Sequence, residues 1–263
     1  MNKSLIEWRA AAEDAARLGS TQLEQWRKKF SVREKGRADL VTDADHASQH
    51  AIRNLLMDRF MDHAFLGEED PGAKEGVVNP SVPTWIVDPL DGTANYVHDV
   101  PAYCVSIGLM VGGDLVVGVI LDPRQNEMFS AAKGLGATLN GAAIRVSDTT
   151  QLEYALLATG FPPDPECQER NLVQWRRFSY KAQALRRTGS TALNLAYVAA
   201  GRFDGYWAFD NFAWDVAAGI VLVREAGGEV MRADGSPTDP FKPDIAAANR
   251  PLLREMLANI SVV

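Results

Sequence analysis

Trp85-Ile86-Val87-Asp88-Pro89-Leu90-Asp91-Gly92-Thr93-Ala94-Asn95-Tyr96 carries the densest structural signal in the chain. An apolar run of strand character ends in Asp88, and Pro89 biases that aspartate towards extended backbone. Asp91 follows three residues on, and a helix can begin at Gly92-Thr93. Two carboxylates therefore stand at a strand end beside free backbone N–H groups, which form a natural phosphate cradle. An Asp-rich turn with a helix cap would use the same residues, so this segment alone leaves both readings open.

Two further segments bear on the choice. Leu66-Gly67-Glu68-Glu69-Asp70 places three acids directly after a short apolar strand, and Trp214-Asp215 opens an apolar helical run, 216–222. Singly, an acid cluster is a solvated loop and an aspartate in a first helical turn is a capping device. In combination they can furnish one pocket with carboxylates. Such groups repel and take up protons unless cations neutralise them. An all-oxygen set suits Mg²⁺ or Mn²⁺ rather than zinc.

Around these segments the pattern predicts a first helix through 4–30, opened by a Ser4–Glu7 capping box, and a second over 43–60 with Ala47, Ala51, Leu55 and Leu56 on its apolar face. Strands are predicted at 65–66, 84–87, 103–111 and 115–121, with Gly112-Gly113 as a hairpin turn. The second half alternates: strands at 154–158, 184–187 and 203–207, helices at 191–200 and 214–226, the last stopped by Gly227. Paired strands followed by alternation predict an α+β lobe, 1–148, joined to an α/β lobe, 149–263.

The 263 residues are 46% apolar and 23% charged, the profile of a soluble globular protein. No apolar run reaches the ~18–20 residues of a membrane helix, and the N-terminus leads into an amphipathic pattern rather than a signal peptide, so the cytoplasm is expected. Cys104 and Cys167 are too few for a disulfide framework or a structural zinc site. A net charge of −7 without a basic stripe argues against nucleic acid. It does not argue against an anionic substrate, because bound cations reverse the local field.

Gly67-Glu68-Glu69, the run Asp88 to Thr93, and Trp214-Asp215 with Gly227-Gly228 resemble the inositol monophosphatase family. The segments 35–45, Thr159-Gly160-Phe161-Pro162 and Arg187-Thr188-Gly189-Ser190 are similar to it as well, in order along nearly the whole chain. The resemblance implies a layered αβαβα sandwich of the sugar-phosphatase type, a homodimer, and Mg²⁺-dependent, lithium-sensitive hydrolysis of a small phosphomonoester, with Mn²⁺ a possible substitute. It implies that Glu68, Asp88 and the Leu90 carbonyl hold one ion, that Asp88, Asp91 and Asp215 hold a second, and that a weaker third would lean on Glu68. Thr93 hydrogen-bonded to Asp45 would orient the attacking water, which makes Thr93, Asp45 and Glu68 the catalytic candidates. Asp91, Gly92, Thr93, Gly189, Ser190, Thr191 and Asp215 would meet the substrate. Asp45 also fits a Thr42-x-x-Asp45 capping box, and both roles are compatible.

Inositol monophosphate or a related sugar or polyol phosphate is the expected substrate. Fructose 1,6-bisphosphate, phosphoadenosine phosphate and histidinol phosphate belong to enzymes of the wider superfamily. A phospho-ligand-binding protein that has lost turnover is the rival from another class. Relatives in this family carry a Glu seven residues before the aspartate of Trp-Asp, where it binds ring hydroxyls; here that position is Ala208. His46 and His50 stand four apart on the second predicted helix but lack the glutamate of a zincin. His98 reads as a loop-ordering residue, and Gly189-Ser190 lacks a nucleophile elbow. Arg186 and Arg187 read as a salt-bridged strand end, and Lys35 as an outer-shell or surface lysine.

Overall fold

The apolar segments 84–91, 104–111, 116–122 and 128–132 are buried along nearly their whole length, so each needs cover on both faces. That requirement organises the chain. The structure, a computed structural model, describes residues 2–36, 39–76, 78–162, 164–242 and 244–260. Among these the helices are α1 (Asn2–Trp26), α2 (Asp43–Arg59), α3 (Thr93–Val97), α4 (Glu169–Ser179), α5 (Thr191–Ala199), α6 (Ala213–Glu225) and α7 (Arg250–Asn259). The strands are β1 (Val32–Gly36), β2 (Asp39–Thr42), β3 (Ala64–Gly67), β4 (Thr84–Asp91), β5 (Cys104–Val111), β6 (Asp114–Asp122), β7 (Glu127–Ala132), β8 (Ala137–Leu139), β9 (Ala142–Ala143), β10 (Leu156–Thr159), β11 (Ala184–Arg186), β12 (Gly205–Ala208), β13 (Glu229–Met231) and β14 (Ile245–Ala248).

β3 to β9 form a seven-stranded sheet in sequence order, and a five-stranded sheet runs β11-β10-β12-β14-β13; β1 and β2 make a separate hairpin. α1 and α2 pack on one face of the larger sheet, with Leu23, Ile52 and Leu56 against Trp85, Val105 and Val117. α5 and α6 fill the space between the sheets, where Leu195 and Ile220 meet Ile120 and Phe129 on one side and Tyr206 and Ala247 on the other. α7 and α4 close the far face through Leu252, Met256 and Phe178 against Leu157, Trp207 and Ala248. The alternation of Tyr206 inward and Trp207 outward is the period-2 signature of a strand covered on both sides. The architecture is the expected αβαβα sandwich.

α6 lies against β5 and β6 at the cross-strand pair Gly108 and Gly118. A Cβ on Gly118 would stand 2.3 Å from the Ala218 carbonyl oxygen, so only glycine permits this approach. The start of α6 is thereby pressed towards the ends of β4 and β5.

Several expectations need correction. α1 already includes Asn2, so Ser4 and Glu7 lie inside it and form no cap. On α2 the buried face is Ala44, Asp45, Ser48, Gln49, Ile52 and Leu56, while Ala47, Ala51 and Leu55 are only half-buried. Apolar periodicity misplaced the face because three of its members are polar and bonded towards the site. The strand expected from 154 starts at Leu156, after a 3₁₀ turn. The Gly112-Gly113 turn is present, with φ of 61° and 83°. Both cysteines are free. Arg37 and Ala38, within the segment 35–45, and the side chain of Lys35 lie outside the described residues.

Candidate active site

β4 sets the geometry. It pairs with β5 through Asp88–Ser106 and Asp91–Cys104, so three steps on β4 match two on β5. This is a one-residue bulge at Pro89-Leu90, where proline's missing N–H breaks no ladder bond. Residues three apart on a regular strand face opposite ways. The bulge restores the phase, and Asp88 and Asp91 share the face of Ser106 and Cys104, towards α5 and α6. β3 runs parallel on the other side, with the Glu68 N–H donating to the Val87 carbonyl at 3.0 Å, so Glu68 leaves the sheet beside Asp88.

Asp215 arrives on the first turn of α6, its Oδ2 accepting from the Phe212 N–H at 2.7 Å. The Ser106 hydroxyl donates to the Trp214 carbonyl at 3.3 Å and ties that turn to β5. Glu68, Asp88, Leu90, Asp91, Gly92, Thr93, Gly189, Ser190, Thr191 and Asp215 all line one cavity of 490 Å³. Asp45 lies just behind it.

Asp88 is 2% exposed, and its Oδ1 accepts from the Leu90 N–H at 2.9 Å. Burial first, then the charges of Glu68, Asp91 and Asp215, push its carboxyl well above the ordinary range. Burial also pushes Asp91 up to about 6, although its Oδ2 accepts from the Ser190 hydroxyl and the Ala192 N–H, both at 2.6 Å. The Ser190 hydroxyl is thus held by Asp91, and it also accepts from the Leu193 N–H at 3.2 Å as the α5 cap. The hydroxyl proton of Ser190 is therefore given to Asp91.

Asp45 is fully buried. Its Oδ2 accepts from the Thr42 N–H at 2.8 Å and the Thr42 hydroxyl at 2.6 Å, while Thr93 Oγ1 lies 3.2 Å from Oδ1. Cap and Thr93 partner are one arrangement: the cap fixes the carboxylate that the Thr93 hydroxyl meets. Burial, opposed by the Thr42 bonds and reinforced by Glu68 and Glu69, brings Asp45 up to about 7. Thr93 Oγ1 also lies 3.1 Å from the Leu90 carbonyl oxygen.

The remaining candidates divide cleanly. His46 and His50 are exposed on α2, and His50 Nε2 lies 3.0 Å from Asn54 Nδ2. Asp70 is drawn away from the cavity by Arg53, by Gln49 Nε2 at 3.0 Å and by the Gly67 N–H at 2.9 Å, which braces the loop carrying Glu68. Arg187 was expected in a salt-bridged strand end. Instead it lines the cavity with its guanidinium 4.5 Å over the Phe161 ring.

Sequence reasoning also missed Asn95. Its Nδ2 donates to the carbonyls of Ala102 at 2.7 Å and Thr188 at 2.8 Å, clasping the loop that carries Gly189 and Ser190. Gly189 has φ 92°, and a Cβ there would meet Asn95 at 2.7 Å. An asparagine between a helix start and a strand carries no local signal for a partner 93 residues away.

A model of the inositol monophosphatase family matches residues 5–262. The inositol-1-monophosphatase of Synechocystis is 43% identical over 248 residues, covering 94% of this chain and 85% of that protein. The Nus factor SuhB of Pseudomonas aeruginosa is 42% identical over 234 residues, 88% of this chain and 86% of that one. The solved inositol monophosphatase of Anabaena superposes with a TM-score of 0.84 at 36% identity, covering 97% and 96% of the two chains. The chain belongs to the inositol monophosphatase family.

Proposed function

We propose that this protein is a Mg²⁺-dependent phosphomonoesterase acting on inositol monophosphate or a related sugar or polyol phosphate. The observation that carries the reading is the convergence of Glu68, Asp88, Asp91 and Asp215, from three separate segments, on one cavity beside Thr93. The donor set fits a hard cation: the cavity is lined by carboxylates and by no histidine or cysteine among the described residues. Among the described residues these side chains do not by themselves form a closed metal site. Mg²⁺ tolerates such openness, since it keeps several waters and completes its shell with substrate phosphate. Glu68, Asp88 and the Leu90 carbonyl would hold one ion, and Asp88, Asp91 and Asp215 another; a third would rest on Glu68.

Bound ions would supply charge neutralisation, a nucleophilic water at neutral pH and stabilisation of the departing alkoxide. The chain's own residues do the rest. The Thr93 hydroxyl donates to Asp45 and presents its lone pairs to the attacking water. Asp45, near 7, can take up a proton at neutral pH. The N–H groups of Gly92 and Thr93 hold phosphate oxygens, and Ser190 keeps Asp91 in place. On the resemblance alone we also infer a cytoplasmic homodimer of two cooperating lobes. The Nus-factor name of one relative suggests a second role for that protein, but the charge of −7 supports no nucleic-acid contact here.

Ala208 closes β12 in the buried layer between the sheets and supplies no side-chain acceptor for a ring hydroxyl. The reading therefore favours a broad polyol or sugar phosphatase over a strict inositol enzyme. The test is kcat/KM for inositol 1-phosphate, glycerol 2-phosphate and histidinol phosphate side by side, with Mg²⁺ and with EDTA. Turnover of the first two within about tenfold of each other, abolished by EDTA, is expected, since one missing charged hydrogen bond is worth about that much. No phosphate release from any ester would leave a phospho-ligand-binding protein.

A further inference from the structure

Three loops at the carboxyl ends of neighbouring strands form the cavity wall opposite the β4 carboxylates. They are Gly160-Phe161-Pro162 after β10, Arg187 to Ser190 after β11, and Phe209 to Phe212 after β12. β10 runs parallel to both β11 and β12, and such strand ends are where open α/β sheets bind ligands. This wall is mostly apolar and, among the described residues, carries one cation, Arg187. The other cation lining the cavity among the described residues, Lys74, comes from the turn that follows Glu68.

Arg187 is seated by stacking. Its guanidinium lies 4.5 Å over the Phe161 ring, and that ring is edge-on to Trp175 at 6.1 Å. The acid on this wall, Asp210, is raised by burial, with Asp244 adding to the shift and Arg170 opposing it. The Arg187 donors are thus held in place by an aromatic platform, next to apolar surface that strengthens any charge pair formed there.

We propose that Arg187 is a specificity-determining residue that binds a second anionic group on the leaving alcohol, so that the site favours bis-anionic substrates such as sugar bisphosphates. The proposal rests on the phosphomonoesterase reading above and deepens it. A planar guanidinium offers a two-pronged grip on a phosphate or carboxylate, which a lysine cannot reproduce. Phe161 also holds the guanidinium before substrate arrives, which lowers the ordering cost of the contact.

The test compares fructose 1,6-bisphosphate with fructose 1-phosphate, which share the reacting ester and differ only in the distal phosphate. Full-length wild type, Arg187→Gln and Arg187→Lys are assayed with Mg²⁺, with glycerol 2-phosphate as a third substrate. Wild type should prefer the bisphosphate in kcat/KM. Arg187→Gln should lower that preference by roughly ten- to a hundredfold, mainly through KM, as expected for a lost charged hydrogen bond. Arg187→Lys should restore only part of it. Equal losses on both fructose esters would assign Arg187 to the reacting phosphate and overturn the proposal, as would an unchanged preference. A wild type that hydrolyses glycerol 2-phosphate but treats the two fructose esters alike overturns it while leaving the phosphatase reading intact. A wild type that hydrolyses none of the three overturns both.

Discussion

Asp88→Asn should lower kcat at saturating Mg²⁺ by at least about a hundredfold, the scale on which removal of a single preorganised electrostatic group acts. The metal-free fold should nevertheless gain stability. Asparagine keeps an oxygen for the Leu90 N–H, which donates to Asp88 Oδ1 at 2.9 Å. It also removes a buried charge that faces Glu68, Asp91 and Asp215. The sign follows from linkage. Because the folded-state pKa is raised, the native protein holds this proton more tightly than the unfolded chain. Below the unfolded value near pH 4 both states are protonated, and the carboxylate costs nothing. As pH rises past that value the wild type loses stability, until the native group ionises as well. The variant's advantage in metal-free thermal melts should therefore be absent near pH 3.5, grow above pH 4 and persist at pH 8. Mg²⁺ should raise the wild-type Tm at pH 8 and raise the variant's much less. Retention of a tenth of wild-type kcat, or an unfolded variant, would contradict this account of Asp88.

Thr93→Ala and Asp45→Asn should each lower kcat by roughly a hundredfold or more while KM changes far less, because both act on the attacking water rather than on ground-state binding. Asp45→Asn preserves the size of the residue and an oxygen for Thr42, but it cannot take up a proton. The two side chains are joined at 3.2 Å and act as one unit. The double variant should accordingly be about as slow as the slower single one. Steady-state kinetics of the four proteins on one substrate closes the cycle. Full additivity would show that Thr93 and Asp45 act separately, and a loss confined to KM would move Thr93 to substrate binding.

The site was legible where chemistry and chain order coincide. Asp88 to Thr93 alone reads equally well as an Asp-rich turn, and Glu68 and Trp214-Asp215 elsewhere in the chain decide between the readings. Asp45 was legible twice, as a cap and as the Thr93 partner, and the structure unites the two roles. Less visible was anything that depends on packing across layers. Ser48 donates to the Pro89 carbonyl at 2.9 Å, and Gln49 accepts from the Glu69 N–H at 3.0 Å. Both are buried polar residues on a helix face that hydrophobic periodicity assigns elsewhere. Strand β7, Glu127–Ala132, ends in Ser-Ala-Ala and has too little β-branched or aromatic character to stand out, yet it pairs with β6 and β8 and packs against α1 and α6. α4 is strongly polar and offers little apolar pattern to read, although Asn171, Gln174 and Phe178 on it are buried. The Gly108–Gly118 pair looks like two weak points in strands until α6 is laid across it. Arg187 could not be distinguished from a surface arginine without the position of Phe161.

If carboxylates from separate segments meet in order to hold divalent cations, crystals grown with Mn²⁺ in place of Mg²⁺, with diffraction recorded near the manganese edge, should reveal them. Anomalous density should appear between Glu68, Asp88, Asp91 and Asp215, and one peak should lie within ligand distance of Asp88 and the Leu90 carbonyl. Density confined to His46 and His50, or no density in the cavity at millimolar Mn²⁺, would contradict it.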